Sequence, residues 1–130
     1  MADTLQLAVV TPERAVLEVR ASSVRFTAHD GEIGILPRRA PLLTRVGVGS
    51  LEAATEEGPV RLFIDGGFAQ MVDNKLTVLT EGAKKPEELI AAEAAEALEE
   101  AMAMPSDDQK AFDARQRAMA RARAMRRLAP

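Results

Sequence analysis

The sequence predicts a chain of β + α class: an N-terminal antiparallel β-sandwich (a flattened barrel) over residues 1–85, followed by a C-terminal antiparallel two-helix hairpin over residues 86–130. Two observations carry this. The hydrophobic period changes near Pro86, from two residues upstream to between three and four downstream. Composition shifts at the same place: all eight glycines lie at or before Gly82, while 14 of the 44 residues from Glu87 onward are alanine. A chain of 130 residues is one modest domain with a small appendage, which excludes a large multidomain enzyme.

Upstream, Leu5-x-Leu7-x-Val9 and Val24-x-Phe26-x-Ala28 have the alternation of strands with one buried face. Val16 to Val19, Ile33 to Leu36, Val46 to Leu51, Val60 to Ile64, Phe68 to Val72 and Leu76 to Leu79 continue the series. The turns between them fall at Asp30-Gly31, Glu57-Gly58-Pro59, Gly66-Gly67 and Asp73-Asn74. Many short strands without intervening helices imply a sandwich or flattened barrel. Its core is aliphatic, because the chain is 47% hydrophobic yet has no Trp, no Tyr and only four Phe. Three of those, Phe26, Phe63 and Phe68, are expected in core strands.

Downstream, Pro86 suits a first helical position, and Glu87 and Glu88 put negative charge where the helix dipole favours it. Pro105 stops that helix, and Ser106-Asp107-Asp108-Gln109 has the pattern of a capping box that starts the next. Ile90, Ala94, Ala97, Leu98 and Ala101 share a face of the first helix; Ala111, Ala114, Ala118, Ala122 and Met125 form the stripe of the second. The short connection makes the pair antiparallel. Alanine buries little area, so at about 25 cal/mol per Å² the hairpin is expected to hold weakly to itself and to the sandwich, as a mobile element.

Charge follows the same division. Residues 1–86 carry 10 basic and 11 acidic side chains, residues 87–108 carry eight acids and no base, and residues 109–130 carry seven bases against Asp113. The Arg-rich second helix suits a phosphate backbone, but it has no aromatic interleaving and its arginines do not share one face, so nucleic acid is not expected. A solvated face, or docking onto an acidic protein surface, remains.

Catalytic chemistry is scarce. There is no cysteine and a single histidine, His29, beside a turn, so neither a metal site nor a nucleophilic triad can be assembled in a recognised pattern. Gly31-x-x-Gly34 and Gly47-x-Gly49 open no helix and read as turn glycines rather than phosphate loops. The carboxylate pairs Glu56-Glu57, Glu87-Glu88 and Glu99-Glu100 read as solvated. The longest unbroken apolar run is four residues, as in Leu7 to Val10, so no segment is expected to span a bilayer, and an intracellular location follows from the absence of cysteine and of a signal-like start.

The stretch Asp30-Gly31-Glu32-Ile33-Gly34-Ile35-Leu36-Pro37-Arg38-Arg39-Ala40-Pro41-Leu42-Leu43-Thr44 resembles the signature of the epsilon subunit family of F-type ATP synthases. Gly66-Gly67-Phe68 and Asn74-Lys75-Leu76-Thr77-Val78-Leu79 are similar to the family's last strands, and the order of sandwich then hairpin matches across the chain. The resemblance implies a non-catalytic rotor subunit of a proton-translocating synthase. It would couple the gamma subunit to the ring of c subunits and lie peripherally on the cytoplasmic face of the inner membrane. It further implies that the turn from Glu32 to Leu42 faces the ring, with Glu32, Pro37, Arg38, Arg39, Pro41 and Leu42 as contacts. Family members commonly have Gly-His where this chain has Arg38-Arg39, which removes the backbone freedom of glycine and adds two permanent charges.

By the same resemblance the hairpin folds against the sandwich or extends into the catalytic head and blocks ATP hydrolysis. Arg115, Arg121, Arg123, Arg126 and Arg127 are then the candidates for meeting the alpha and beta subunits. Relatives that bind ATP carry Ile-Asp-x-x-Arg-Ala early in the first helix. Here the alignment Ile90-Ala91-Ala92-Glu93-Ala94-Ala95 has alanine at the acid and at the arginine, so no nucleotide and no other cofactor is expected. The competing readings are a stand-alone sandwich that binds a carbohydrate or peptide, weakened by the lack of exposed aromatic rings, and, last, an enzyme.

Overall fold

The computed structural model describes residues 3–28 and 30–130; His29, read above as a strand-end residue, lies outside the described residues. Among the described residues eight strands precede two helices. They are β1 (Leu5–Val10), β2 (Ala15–Ala21), β3 (Ser23–Ala28), β4 (Gly31–Ile35), β5 (Leu42–Thr55), β6 (Gly58–Val72), β7 (Lys75–Leu79) and β8 (Ala83–Lys84), then α1 (Ala91–Met102) and α2 (Gln109–Leu128). The sheet order is β2-β1-β7-β6-β5-β3-β4, with β8 on β6.

The predicted class stands, with two refinements. The hydrogen-bonded path runs from β2 to β4 without closing, so the sandwich is an open sheet folded on itself. At one corner, Ser22 between β2 and β3 donates its N–H to Ala54 O at 2.8 Å. The sheet is also mixed, because β1 and β7 run parallel. Tight turns force antiparallel pairing only on strands adjacent in sequence, and these two are separated by nearly the whole sandwich.

β5 and β6 are long strands, of 14 and 15 residues, where the sequence suggests shorter segments. Leu42–Val46 pairs with Gly67–Met71, and Val48–Thr55 with Gly58–Asp65. Across this junction the inward face changes parity. In β6 the core takes Leu62 and Ile64 before the junction and Ala69 and Met71 after it; in β5 it takes Val46, then Leu51 and Ala53. A regular strand alternates strictly, so a change of parity demands an irregularity. Gly66 and Gly67 supply it with φ of 74° and 119°. A Cβ on Gly67 would also run into the Leu79 carbonyl oxygen.

The parity change explains Phe68. It lies in a strand as predicted but on the outward face, 50% exposed, so the core expectation for it is corrected. Phe26 is fully buried in the sandwich. Phe63 points the other way and forms a second cluster with Leu89, Ala124 and Leu128, flanked by Val48, Met125 and Ala129. The hairpin is seated on this outer face, with α2 rather than α1 lying along β5 and β6.

Three local helix expectations change. Pro86 opens a 3-10 turn, Pro86–Glu88, in which the Glu88 carboxylate accepts from Lys85 N–H at 3.0 Å. The chain then extends through Leu89, which is buried on Phe63, and α1 starts only at Ala91. Ile90 therefore flanks the helix and is exposed, whereas Ala94 and Ala101 are buried as expected. At α2 the cap is Asp108, whose Oδ1 accepts from Ala111 N–H at 2.7 Å, not Ser106; a carboxylate gains from the helix dipole as well as the hydrogen bond. The stripe Ala111, Ala114, Ala118, Ala122 and Met125 is half-buried or buried throughout, as predicted.

Substituting Gly67→Ala is expected to lower the unfolding free energy by about 3 kcal/mol or more, combining positive φ with a backbone clash. Gly58→Ala, at φ 112° but in open space, should cost only about 1–2 kcal/mol. Urea denaturation followed by circular dichroism measures both.

Candidate functional site

Among the described residues no cluster of His, Cys, Asp or Glu is arranged to hold a metal ion. Among the same residues no helix is long and apolar enough to cross a membrane. The candidate sites are surfaces, and three stand out.

The first is the turn predicted from Glu32 to Leu42. Glu32, in β4, is exposed beside Arg25, whose Nε lies 3.8 Å from Glu32 Oε1 and whose Nη2 lies 3.4 Å from Glu52 Oε2. Past β4 the chain turns through Leu36, Pro37, Arg38 and Arg39, closed by a bond from Arg39 N–H to Leu36 O at 3.3 Å. Arg38 sits at φ 62°, so the position where the resemblance expects glycine does use a left-handed conformation. Its N–H donates to Asn74 Oδ1 at 2.7 Å, and its guanidinium Nη2 lies 2.6 Å from Asp3 Oδ2. Arg39 and Pro41 are exposed. Leu42 is half-buried against the core, and the neighbouring Leu43 is the one that projects, 70% exposed.

The second surface was not read from the sequence. Phe68 on β6 lies opposite Leu79 on β7, which lies opposite Val10 on β1. Leu79 is 52% exposed, and with Pro12 and Gly67 these side chains line an apolar surface groove. On the adjoining β5 the exposed Arg45 lies directly opposite Phe68, and Leu43, opposite Gln70 and diagonal to Phe68, adds apolar surface toward the turn. The sequence signal was present in Gly66-Gly67, which shifts the alternation by one and turns Phe68 outward.

The third is the basic face of α2. The five predicted arginines do not act together in this conformation. Arg121 Nε meets Asp65 Oδ2 on β6 at 2.9 Å, joining hairpin to sandwich. Arg115 donates from Nε and Nη2 to the Met102 carbonyl oxygen at 3.4 and 3.2 Å, satisfying the C-terminal end of α1. Arg123, Arg126 and Arg127 are exposed and form no ion pair among the described residues. Arg126 and Arg127 lie in the last turn, where the helix dipole favours cations.

A bent sandwich with an apolar strip, a polar turn beside it and a hairpin held on its back defines a docking scaffold. The chain belongs to the ATP synthase family: the family model for the delta/epsilon chain β-sandwich domain matches residues 4–86. It is similar to the ATP synthase epsilon chain of Rhodopirellula baltica, 41% identical over 120 residues that cover 92% of this chain and 94% of that one. It is likewise similar to that of Carboxydothermus hydrogenoformans, 41% identical over 101 residues covering 78% and 75%. Among solved structures it superposes on a chain of the Euglena gracilis mitochondrial ATP synthase OSCP/F1/c-ring assembly with a TM-score of 0.82 at 25% identity, covering 96% of this chain and 80% of that one. The family resemblance read from the sequence is thereby borne out.

A half-exposed ion pair contributes about 0–1 kcal/mol. Asp65→Asn and Arg121→Gln should each raise amide-exchange rates over Met119 to Leu128 by about two- to fivefold, with Leu62 unchanged. Exchange mass spectrometry reads this directly, and uniformly slow exchange from Glu87 to Leu128 would contradict a weakly held hairpin.

Proposed function

We propose that this chain is a non-catalytic central-stalk (rotor) subunit of a proton-translocating F-type ATP synthase, seated between a gamma subunit and a ring of c subunits. It lies peripherally on the cytoplasmic face of the inner membrane and is held there by its partners. Residues 1–85 form the rotor-binding unit and residues 86–130 the regulatory unit. The observation that carries the reading is the adjacency of two unlike surfaces on one packed sheet. The strip of Val10, Leu43, Phe68 and Leu79 suits a broad apolar contact, which we assign to gamma. The turn bearing Glu32, Pro37, Arg38, Arg39, Pro41 and Leu42 suits the polar loops of a ring, which we assign to the c subunits. A close-packed sheet pair resists shear, so a force applied at one surface reaches the other.

The hairpin is the regulatory arm. Seated on the sandwich it holds Arg121 on Asp65, while Arg115 is held within the hairpin on Met102 O. Undocking adds Arg121 to Arg123, Arg126 and Arg127 as groups available to acidic residues of the alpha and beta subunits, and separation of the two helices adds Arg115. The reading as a carbohydrate-binding module is not favoured: the exposed aromatics Phe68 and Phe112 lie on separate elements and form no platform.

Two measurements test this. Phe68→Asp, which charges the strip without touching the core, should weaken capture of gamma at least tenfold. Arg39→Glu should weaken capture of the ring most at low salt, since exposed charges are screened as ionic strength rises. Retention of both partners by both variants would defeat the assignment. Calorimetric titration of the isolated chain with ATP should show no binding at micromolar concentrations, because alanine stands at both positions that would meet the nucleotide.

A further inference from the structure

We infer that Asn74, in the β6–β7 turn, is the positioning residue for the Leu36–Arg39 turn. Its side-chain amide holds Arg38 in a left-handed conformation while Asp3 occupies the Arg38 guanidinium, so Arg39 remains the turn's free cation. The inference rests on the proposal that this turn faces the ring.

Three segments remote in sequence meet at Asn74. Its Oδ1 accepts from Arg38 N–H at 2.7 Å, and its Nδ2 donates to Thr4 O at 2.9 Å. Its backbone oxygen accepts from Gln6 N–H at 3.0 Å. One side chain thus ties the start of β1 to the turn after β4, from a site fixed by the β6–β7 hairpin. Asp73 and Asn74, at φ 50° and 62°, make the left-handed pair that a two-residue hairpin turn requires. Asparagine tolerates that conformation; arginine with its long side chain does not favour it. Arg38 adopts it nonetheless, at φ 62°. Two backbone bonds oppose relaxation: the turn's own bond from Arg39 N–H to Leu36 O, and the bond from Arg38 N–H to Asn74 Oδ1 that ties the turn to the rest of the sheet.

The chemistry of the amide matters. Only a group that accepts on one side and donates on the other satisfies both Arg38 N–H and Thr4 O. An aspartate would turn a carboxylate oxygen on the Thr4 carbonyl, and a glycine would keep the hairpin turn while leaving Arg38 unheld. The Arg38–Asp3 pair is exposed, at 75% and 50% of the side chains, so it steers the guanidinium rather than fixing the backbone. Arg39 has no carboxylate partner among the described residues and bonds only the Ala40 carbonyl, at 3.1 Å. The two arginines, adjacent and chemically identical, are therefore unequal: Arg38 is spent inside the chain and Arg39 faces outward.

The test uses the full chain with Asn74→Gly, Arg38→Gly and the double variant. Asn74→Gly preserves the positive-φ hairpin, so loss of fold does not confound it. In the isolated chain it should speed exchange of the residue-38 amide at least tenfold and change that residue's φ-dependent amide coupling. Against a gamma–c-ring complex it should weaken binding about tenfold in the Arg38 chain but less than about twofold when added to Arg38→Gly, because glycine takes the left-handed conformation unaided. Unchanged exchange and coupling at residue 38, or an equal loss from Asn74→Gly in both backgrounds, overturns the inference. Should Arg39→Glu and Phe68→Asp weaken rotor binding while Asn74→Gly does not, the inference falls and the rotor assignment stands. If none of the three affects rotor binding, the assignment falls and takes the inference with it.

Discussion

Between Asp65 and Phe68 the face of β6 that looks into the sandwich is exchanged for the face that looks out, and the other surfaces follow from that exchange. Before the bend, even-numbered side chains fill the core and Phe63 is left to carry the hairpin. After it, odd-numbered side chains fill the core and Phe68 is left on the surface. Two positive-φ glycines let one strand pair serve both halves of the folded sheet. A residue with a Cβ at Gly67 would collide with Leu79 O, on the strand that presents the other half of the apolar strip. Core, hairpin seat and apolar strip are therefore not independent features but three consequences of one backbone irregularity.

The same bend bears on the expectation that the hairpin is held lightly. Its seat uses the outer side of a strand pair whose inner side is committed to the core. Phe63, Leu89 and Leu128 are the large apolar groups sealed there, each contributing about 1.5–3 kcal/mol before side-chain and backbone ordering are counted. Val48 and Met125 are only partly buried beside them, the remaining apolar groups are Ala124 and Ala129, and Arg121–Asp65 lies at the edge. Ordering 20 residues of α2 opposes a contact of this size. Leu89 precedes α1, so the linker shares the seat with the C-terminal end of α2; displacement of either loosens the other.

What was legible in the sequence follows what is periodic. Leu5, Leu7 and Val9, or Val24 and Phe26, announce their buried face because their strands are regular, and the alanine stripe of α2 announces its partner helix for the same reason. Phe68 is the exception: the sequence suggests a turn at Gly66-Gly67 and a core strand after it, whereas the chain runs on through both glycines as one strand and changes face there, which leaves Phe68 outside. Ser106 was a plausible cap on spacing alone; Asp108 won because a carboxylate at a helix start adds charge to hydrogen bonding. Pro86 lost its helix to Leu89, whose burial on Phe63 is a contact between residues 26 apart, invisible to any local pattern. In the candidate site, motif spacing located the turn, but the inequality of Arg38 and Arg39 depends on Asp3 and Asn74, brought there only by the sheet.

The two proposed working surfaces make opposite physical demands, and the chain meets them with opposite means. On the proposed reading, a surface that transmits force must not yield, and the turn assigned to the ring is tied by an amide reaching across from another hairpin, even at the expense of an unfavourable φ at Arg38. On the same reading an arm that leaves its seat cannot be pinned, and among the described residues α2 meets the sandwich through few large side chains and one partly solvated ion pair. Exchanging those means would harm both. A glycine-free bend would remove the seat and the strip together, and a leucine-rich α2 would turn a detachable arm into part of the core. Strain is concentrated where rigidity is needed and thin packing where release is needed, and the Gly66-Gly67 bend is the element that keeps the two regions on one chain without sharing a face.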